Sequence, residues 1–170
     1  GLRDQTVAVV VYADQRTRYE HPDVQRGVAE VVAEMLRQQV RGVTVVPTDA
    51  IARYQARNVY WDTEPKPELA GALGADRLLF ITLIEFSTRE PGSLTLYRGR
   101  LTADAAVYEA GRPAGDARAW HKRGLRARFP EQTSVGSLDV AEERIAYETA
   151  VRFARDLVLC FHEHKVSEQG

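Results

Sequence analysis

The apolar residues of this chain change period several times, and each period predicts a different element. Residues 6–12, TVAVVVY, are almost continuously apolar and β-branched, which suits an interior strand buried on both faces. Residues 13–21 are polar and read as a loop. Pro22 is tolerated in a first helical turn, where its missing amide donor would be unpaired anyway. The helix it opens is predicted to reach Val40. Within it Val24, Val28, Val31, Val32, Met35 and Leu36 recur at threes and fours, while Arg26, Glu30, Glu34, Arg37 and Gln38 take the other faces. Gly42 should stop the helix in a left-handed conformation. Residues 42–47 then form a short second strand ended by Pro47. Strand, helix and strand at this spacing predict a parallel βαβ unit with a right-handed crossover.

Thr48 or Asp49 is expected to cap a short helix running to about Tyr54. Residues 57–67, RNVYWDTEPKP, read as an exposed loop carrying Tyr60 and Trp61. Pro67 starts another short helix, and residues 76–86 form a third strand. Beyond it the pattern changes from crossovers to hairpins. Glu90-Pro91-Gly92-Ser93 is a turn signal, residues 94–109 alternate like a strand, 110–116 turn again, and 118–129 form a last strand. A final helix should begin near Ser137 or Asp139, since Asp139 and Glu142 have capping-box spacing. It should lay Ala146, Ala150, Phe153, Leu157 and Cys160 across the sheet. The expected class is therefore α/β (α+β): a parallel βαβ unit continued by an antiparallel meander, with helices packed on the sheet. One domain over residues 1–170 is expected, with a core of about 6–166 and a loose tail from 167.

Composition narrows the partners. The chain has 170 residues, 44% of them apolar, enough for one sizeable core. Its 23 basic and 24 acidic residues leave a formal charge of -1. No global field recruits nucleic acid or an anionic membrane, so an electrostatic partner must be met by a local patch. The lone cysteine, Cys160, excludes an internal disulfide and should pack as a small hydrophobe. No apolar run is long enough for a transmembrane helix.

Four candidate chemistries deserve weighing. Gly71 and Gly74 lie inside and at the end of a helix that precedes a strand, the reverse of a phosphate loop, so they read as a helix stop and a close helix-to-sheet contact. His162 and His164 are two apart on a helix, about 200° around it, and His121 has no visible partner; neither a metal nor another cofactor is expected. Asp14 and Asp49 follow the first two strands, where α/β enzymes commonly build sites, yet aspartate is also the ordinary occupant of turns and caps. On the last strand, period two places Arg118, Trp120, Lys122, Arg126 and Arg128 on one face. That stripe suits an anion or nucleic acid, or a solvated edge strand whose charges discourage pairing. Tyr60, Trp61 and Trp120 are the candidate protein-binding anchors.

Several strings together carry a resemblance. VAVVVYAD, a helix ending EVVAEMLRQQ, GVTVVPTDAIARY, and ELAGALGADRLLFITLIEF followed by LYRGRLTADAAVYEA resemble the envelope lipoprotein domain shared by the TolB N-terminal domain, CsgG and the LpoB-type activators of penicillin-binding proteins. Leu73, Gly74, Ala75 and Asp76 match that group's leucine-glycine-alanine-aspartate element. The resemblance covers roughly residues 6–129. It implies a non-catalytic periplasmic domain that docks on envelope proteins or self-associates, held to the membrane by a lipid-bearing cysteine upstream of Gly1. It supplies no catalytic residues. The chain departs from the group in three ways: no β-propeller follows, the hairpins are too short and too weakly alternating for pore strands, and no proline-rich tether is present.

Overall fold

The computed structural model describes residues 1–94, 96–130 and 141–168, with side chains described through residue 161. Its frame is a five-stranded mixed sheet in the order β2-β1-β3-β4-β5. Strand β1 (Thr6–Tyr12) runs parallel to β2 (Thr44–Val45) and to β3 (Arg77–Arg89). Strands β4 (Tyr97–Glu109) and β5 (Arg118–Phe129) then extend the sheet antiparallel. The βαβ unit and the meander thus form one continuous sheet.

The continuous apolar run of β1 has its reason in the layers. Val7, Val9 and Val11 face one core, under α2 (Val24–Gln39) and α5 (Glu142–Glu168). Ala8 and Val10 face a second core, built with α3 (Thr48–Arg57), a 3-10 turn over Trp61–Thr63 and α4 (Lys66–Ala72). A strand covered on both faces has no use for alternation. Helix α5 seats Ala150, Phe153 and Leu157 in the first core, with Ala146 and Cys160 at its margin.

Several expectations need correction. Residues 13–21 are not all loop: α1 (Gln15–Glu20) forms there because the Asp14 side chain caps it, accepting from the Thr17 N–H at 2.8 Å. Neither Thr48 nor Asp49 caps α3. Both lie inside the helix, whose N-cap is Pro47. Asp139, half of the expected capping box, lies outside the described residues.

The Leu73–Asp76 signature acts as a joint. Gly74 takes φ +71°, ending α4 where a side chain would be strained. Asp76 then exchanges bonds with the first residue of β1: its N–H donates to the Thr6 carbonyl at 2.9 Å, and its carboxylate accepts from the Thr6 N–H at 3.0 Å. Its own carbonyl accepts from Ala110 at 3.0 Å, tying in the β4–β5 turn. The expected close helix-to-sheet contact is not at Gly71 or Gly74, which both have open space where a Cβ would stand. It is at Gly99 of β4, where an added Cβ would lie 1.7 Å from Thr149 Oγ1 of α5. At the far end of the β3–β4 hairpin, Glu90 draws in two cations, with Arg98 Nε at 2.8 Å and Arg100 Nη2 at 3.3 Å.

Candidate functional site

Trp61 is not on an exposed loop. It is 8% exposed and packs in the second core, with ring centroids 6.2 Å from Tyr12 and 6.3 Å from Phe80. Residues 58–64 curl into the 3-10 turn, which tips this indole onto β3 and leaves Tyr60 outside at 76% exposure. Around the buried ring, Tyr54 donates to Glu64 at 2.8 Å, and Lys66 Nζ stands 4.1 Å above the Phe80 ring while donating to the Asp62 carbonyl. The hydrogen bond to Glu64 raises the Tyr54 pKa, and burial lowers that of Lys66.

Asp14 and Asp49 do not converge on a site. Asp14 is engaged as the α1 cap, and the N–H of Thr17, followed by its hydroxyl, holds the carboxyl below the ordinary range. Asp49 is ion-paired to Arg26, which also bonds Glu30 at 3.0 Å. A cavity lined by Val9, Gln25, Thr48, Gln55 and the Arg26 that pairs with Asp49 is only about 20 Å³. Among the described residues no group of three or more histidines, cysteines, aspartates and glutamates is placed to hold a metal. The side chains of His162 and His164 lie outside the described residues. A larger depression of about 570 Å³ lies between α2 and α5, lined by His21, Val24, Val28, Phe86, Ala146 and Tyr147.

The basic strand changes most. A single stripe assumes a regular strand, but β5 has two register shifts against β4. Ala105 faces Lys122 whereas Ala103 faces Leu125, and Val107 faces Trp120 whereas Tyr108 faces Arg118. Each shift inserts a residue into β5 and reverses the alternation. Gly124 makes the first possible, at φ +68° with its N–H bonded to Asp104 Oδ1 at 2.9 Å. As a result Trp120 and Lys122 join Leu125 and Ala127 on the face beneath α5. There Trp120 meets Phe161, centroids 4.9 Å apart, and Lys122 Nζ reaches Cys160 Sγ at 3.6 Å. Arg118, His121, Arg126 and Arg128 turn to the opposite face.

Of the expected stripe, Arg126 and Arg128 acquire new company. A groove of about 420 Å³ runs between β5 and α5, lined by Arg126, Ala127, Arg128, Arg152, Arg155 and Asp156. Four guanidinium groups and one carboxylate in a chain of net charge -1 make the concentrated positive patch that composition requires of any electrostatic site. Arg152 also covers the Phe129 ring at 5.4 Å. Sequence reasoning missed Arg152 and Arg155. Their spacing of three on α5 puts them on one flank of the helix, but nothing in the sequence says that this flank meets β5.

No protein-family model matches this sequence, and no curated protein matches it. Solved structures do match in fold. The chain is similar to the lipoprotein GNA1162 from Neisseria meningitidis, at 14% identity and TM-score 0.54, over 96% of this chain and 98% of that one. It is similar to the hypothetical protein CT253 from Chlamydia trachomatis, at 15% identity and TM-score 0.55, over 92% and 94%. It is also similar to PelC from Paraburkholderia phytofirmans, a dodecamer, at 14% identity and TM-score 0.50, over 90% and 86%. At such identities the likeness is one of fold.

Proposed function

We propose that this chain is a non-catalytic, lipoprotein-like domain of the bacterial cell envelope that works by binding another envelope protein or further copies of itself. The observation that carries the reading is the near full-length match in fold to a lipoprotein and to a protein that assembles as a dodecamer. Asp14 and Asp49 being engaged in separate local roles supports a binding rather than a catalytic domain. In the finer version, the domain belongs with the group of the TolB N-terminal domain, CsgG and the LpoB-type activators, faces the periplasm, and is anchored through an upstream lipid-bearing cysteine. Exposed Tyr60 and the half-buried Trp120 are its aromatic anchors.

Two measurements test this. Light scattering on the purified domain should give a mass that is a multiple of 19.1 kDa, or cross-linking in cells should capture a defined envelope protein. Metabolic palmitate labelling of the full-length gene product should mark it. A strict monomer with no cross-linked envelope partner would refute the binding role, and an unlabelled product would remove the lipid anchor.

A further inference from the structure

We infer that the C-terminal half of β5 is a docking edge for an extended acidic peptide segment of a partner protein, which adds to the sheet as a sixth strand in the arginine-lined groove. The inference rests on reading this domain as a protein-binding one and names where and what it binds.

Strand β5 is the outer strand of the antiparallel side, so alternate residues turn backbone N–H and C=O groups away from β4, and among the described residues no further strand pairs with them. Its two halves differ. The first carries both register shifts, and such bulges twist an edge away from further pairing. From Leu125 to Phe129 the pairing with Ala103 through Gly99 is regular, and a regular edge is what an incoming strand requires. The groove lies along this regular half.

Charge decides the occupant. Arg126 and Arg128 flank the edge from one face of the sheet, and Arg152 and Arg155 from the other, where α5 lies. Side chains of an added strand alternate between those faces, so carboxylates at either parity meet guanidinium groups, which bind carboxylate in a two-pronged geometry. A second copy of β5 is disfavoured, because antiparallel self-pairing would set arginine against arginine. Asp156 at the groove wall repels an incoming carboxylate locally and favours an arrangement whose acidic side chains sit toward the four arginines.

The test uses a fluorescent peptide of alternating glutamate and valine, about eight residues long so as to overspan the regular edge. Anisotropy should report saturable binding that weakens as salt is raised. Arg126→Glu and Arg155→Glu should each weaken it roughly tenfold or more, and the milder Arg155→Gln should weaken it less; circular dichroism checks that each variant is folded. Hydrogen exchange at those amides of residues 125–129 that face away from β4 should slow when the peptide is bound. A lysine-valine peptide, or the acidic peptide with alternate amides N-methylated, should fail to bind. Equal binding of either control, or displacement of the peptide by inorganic phosphate or phosphatidylglycerol vesicles at matched charge, overturns the proposal in favour of unspecific anion attraction. No peptide binding by a protein that still assembles overturns the docking edge and leaves the assembly reading standing. Peptide binding by a strict monomer supports the edge and removes self-assembly.

Discussion

Tyr60 and Trp61 are adjacent in the sequence and have the same aromatic, proline-flanked context, yet one is solvated and the other lies in the core. Truncating Trp61 to alanine empties the space between Tyr12 and Phe80, and such cavities cost about 3–5 kcal/mol. Tyr60→Ala removes only an exposed ring and should stay within about 0.5 kcal/mol. Urea unfolding of the two variants separates them; equal midpoints would contradict the placement of the indole. Which of two neighbouring aromatics points inward was not legible in the sequence, because it depends on how a single 3-10 turn is rotated against β3. The cap of α1 is local, Asp14 and the Thr17 amide it accepts from being three residues apart, yet the polar run of residues 13–21 reads as a loop because it carries no apolar stripe.

At the scale of elements, the seat of α5 on β4 depends on the absence of one side chain. Gly99 lets the helix approach until Thr149 occupies the volume a Cβ would need, with Thr149 Cβ at 2.8 Å and Ile145 Cγ2 at 3.2 Å from that position. Thr149 is fully buried, and its hydroxyl is spent on the Ile145 carbonyl at 2.6 Å, so it has little room to yield. Gly99→Ala should therefore cost about 1–3 kcal/mol through overpacking. Gly71→Ala, in open space on α4, should be neutral or stabilising by up to about 1 kcal/mol. Thermal melting of both variants checks the contrast, and a stable Gly99→Ala protein would show that α5 is loosely held. Glycine in the interior of a strand can mark close approach, although the sequence pattern predicts that contact at Gly71 and Gly74. The approaching element was not visible, since α5 follows some forty-odd residues later in the chain.

For the molecule as a whole, the second core sets an alkaline limit on stability. The Tyr54 pKa is raised above 10.0, first by its hydrogen bond to Glu64 and then by burial, so the folded state keeps a proton that the unfolded chain gives up. Its contribution is fully present below pH 10.0 and is lost as pH rises through the higher folded value. Lys66 acts with the opposite sign. Burial lowers its pKa from 10.5, the unfolded chain binds the extra proton, and stability rises with pH up to that value. Tyr54→Phe should make the decline of the urea midpoint above pH 10.0 shallower, while the lysine effect below it persists. An unchanged alkaline limb would show that the Tyr54–Glu64 bond does not form in solution.

By itself the sequence determined the types of the longer helices and the strands, the parallel-then-antiparallel order and the turn into β3 at Gly74, because these follow from periodicity and from residues a few positions apart. It also determined that a charge-based site had to be local, since acidic and basic residues nearly cancel. Only the tertiary structure decided the composition of that site. Two bulges reversed the alternation of β5 and divided the basic stripe between two faces, and α5 brought Arg152 and Arg155 beside Arg126 and Arg128. Alternation is a local rule that one inserted residue reverses, and the meeting of strand and helix is a packing outcome of residues distant along the chain.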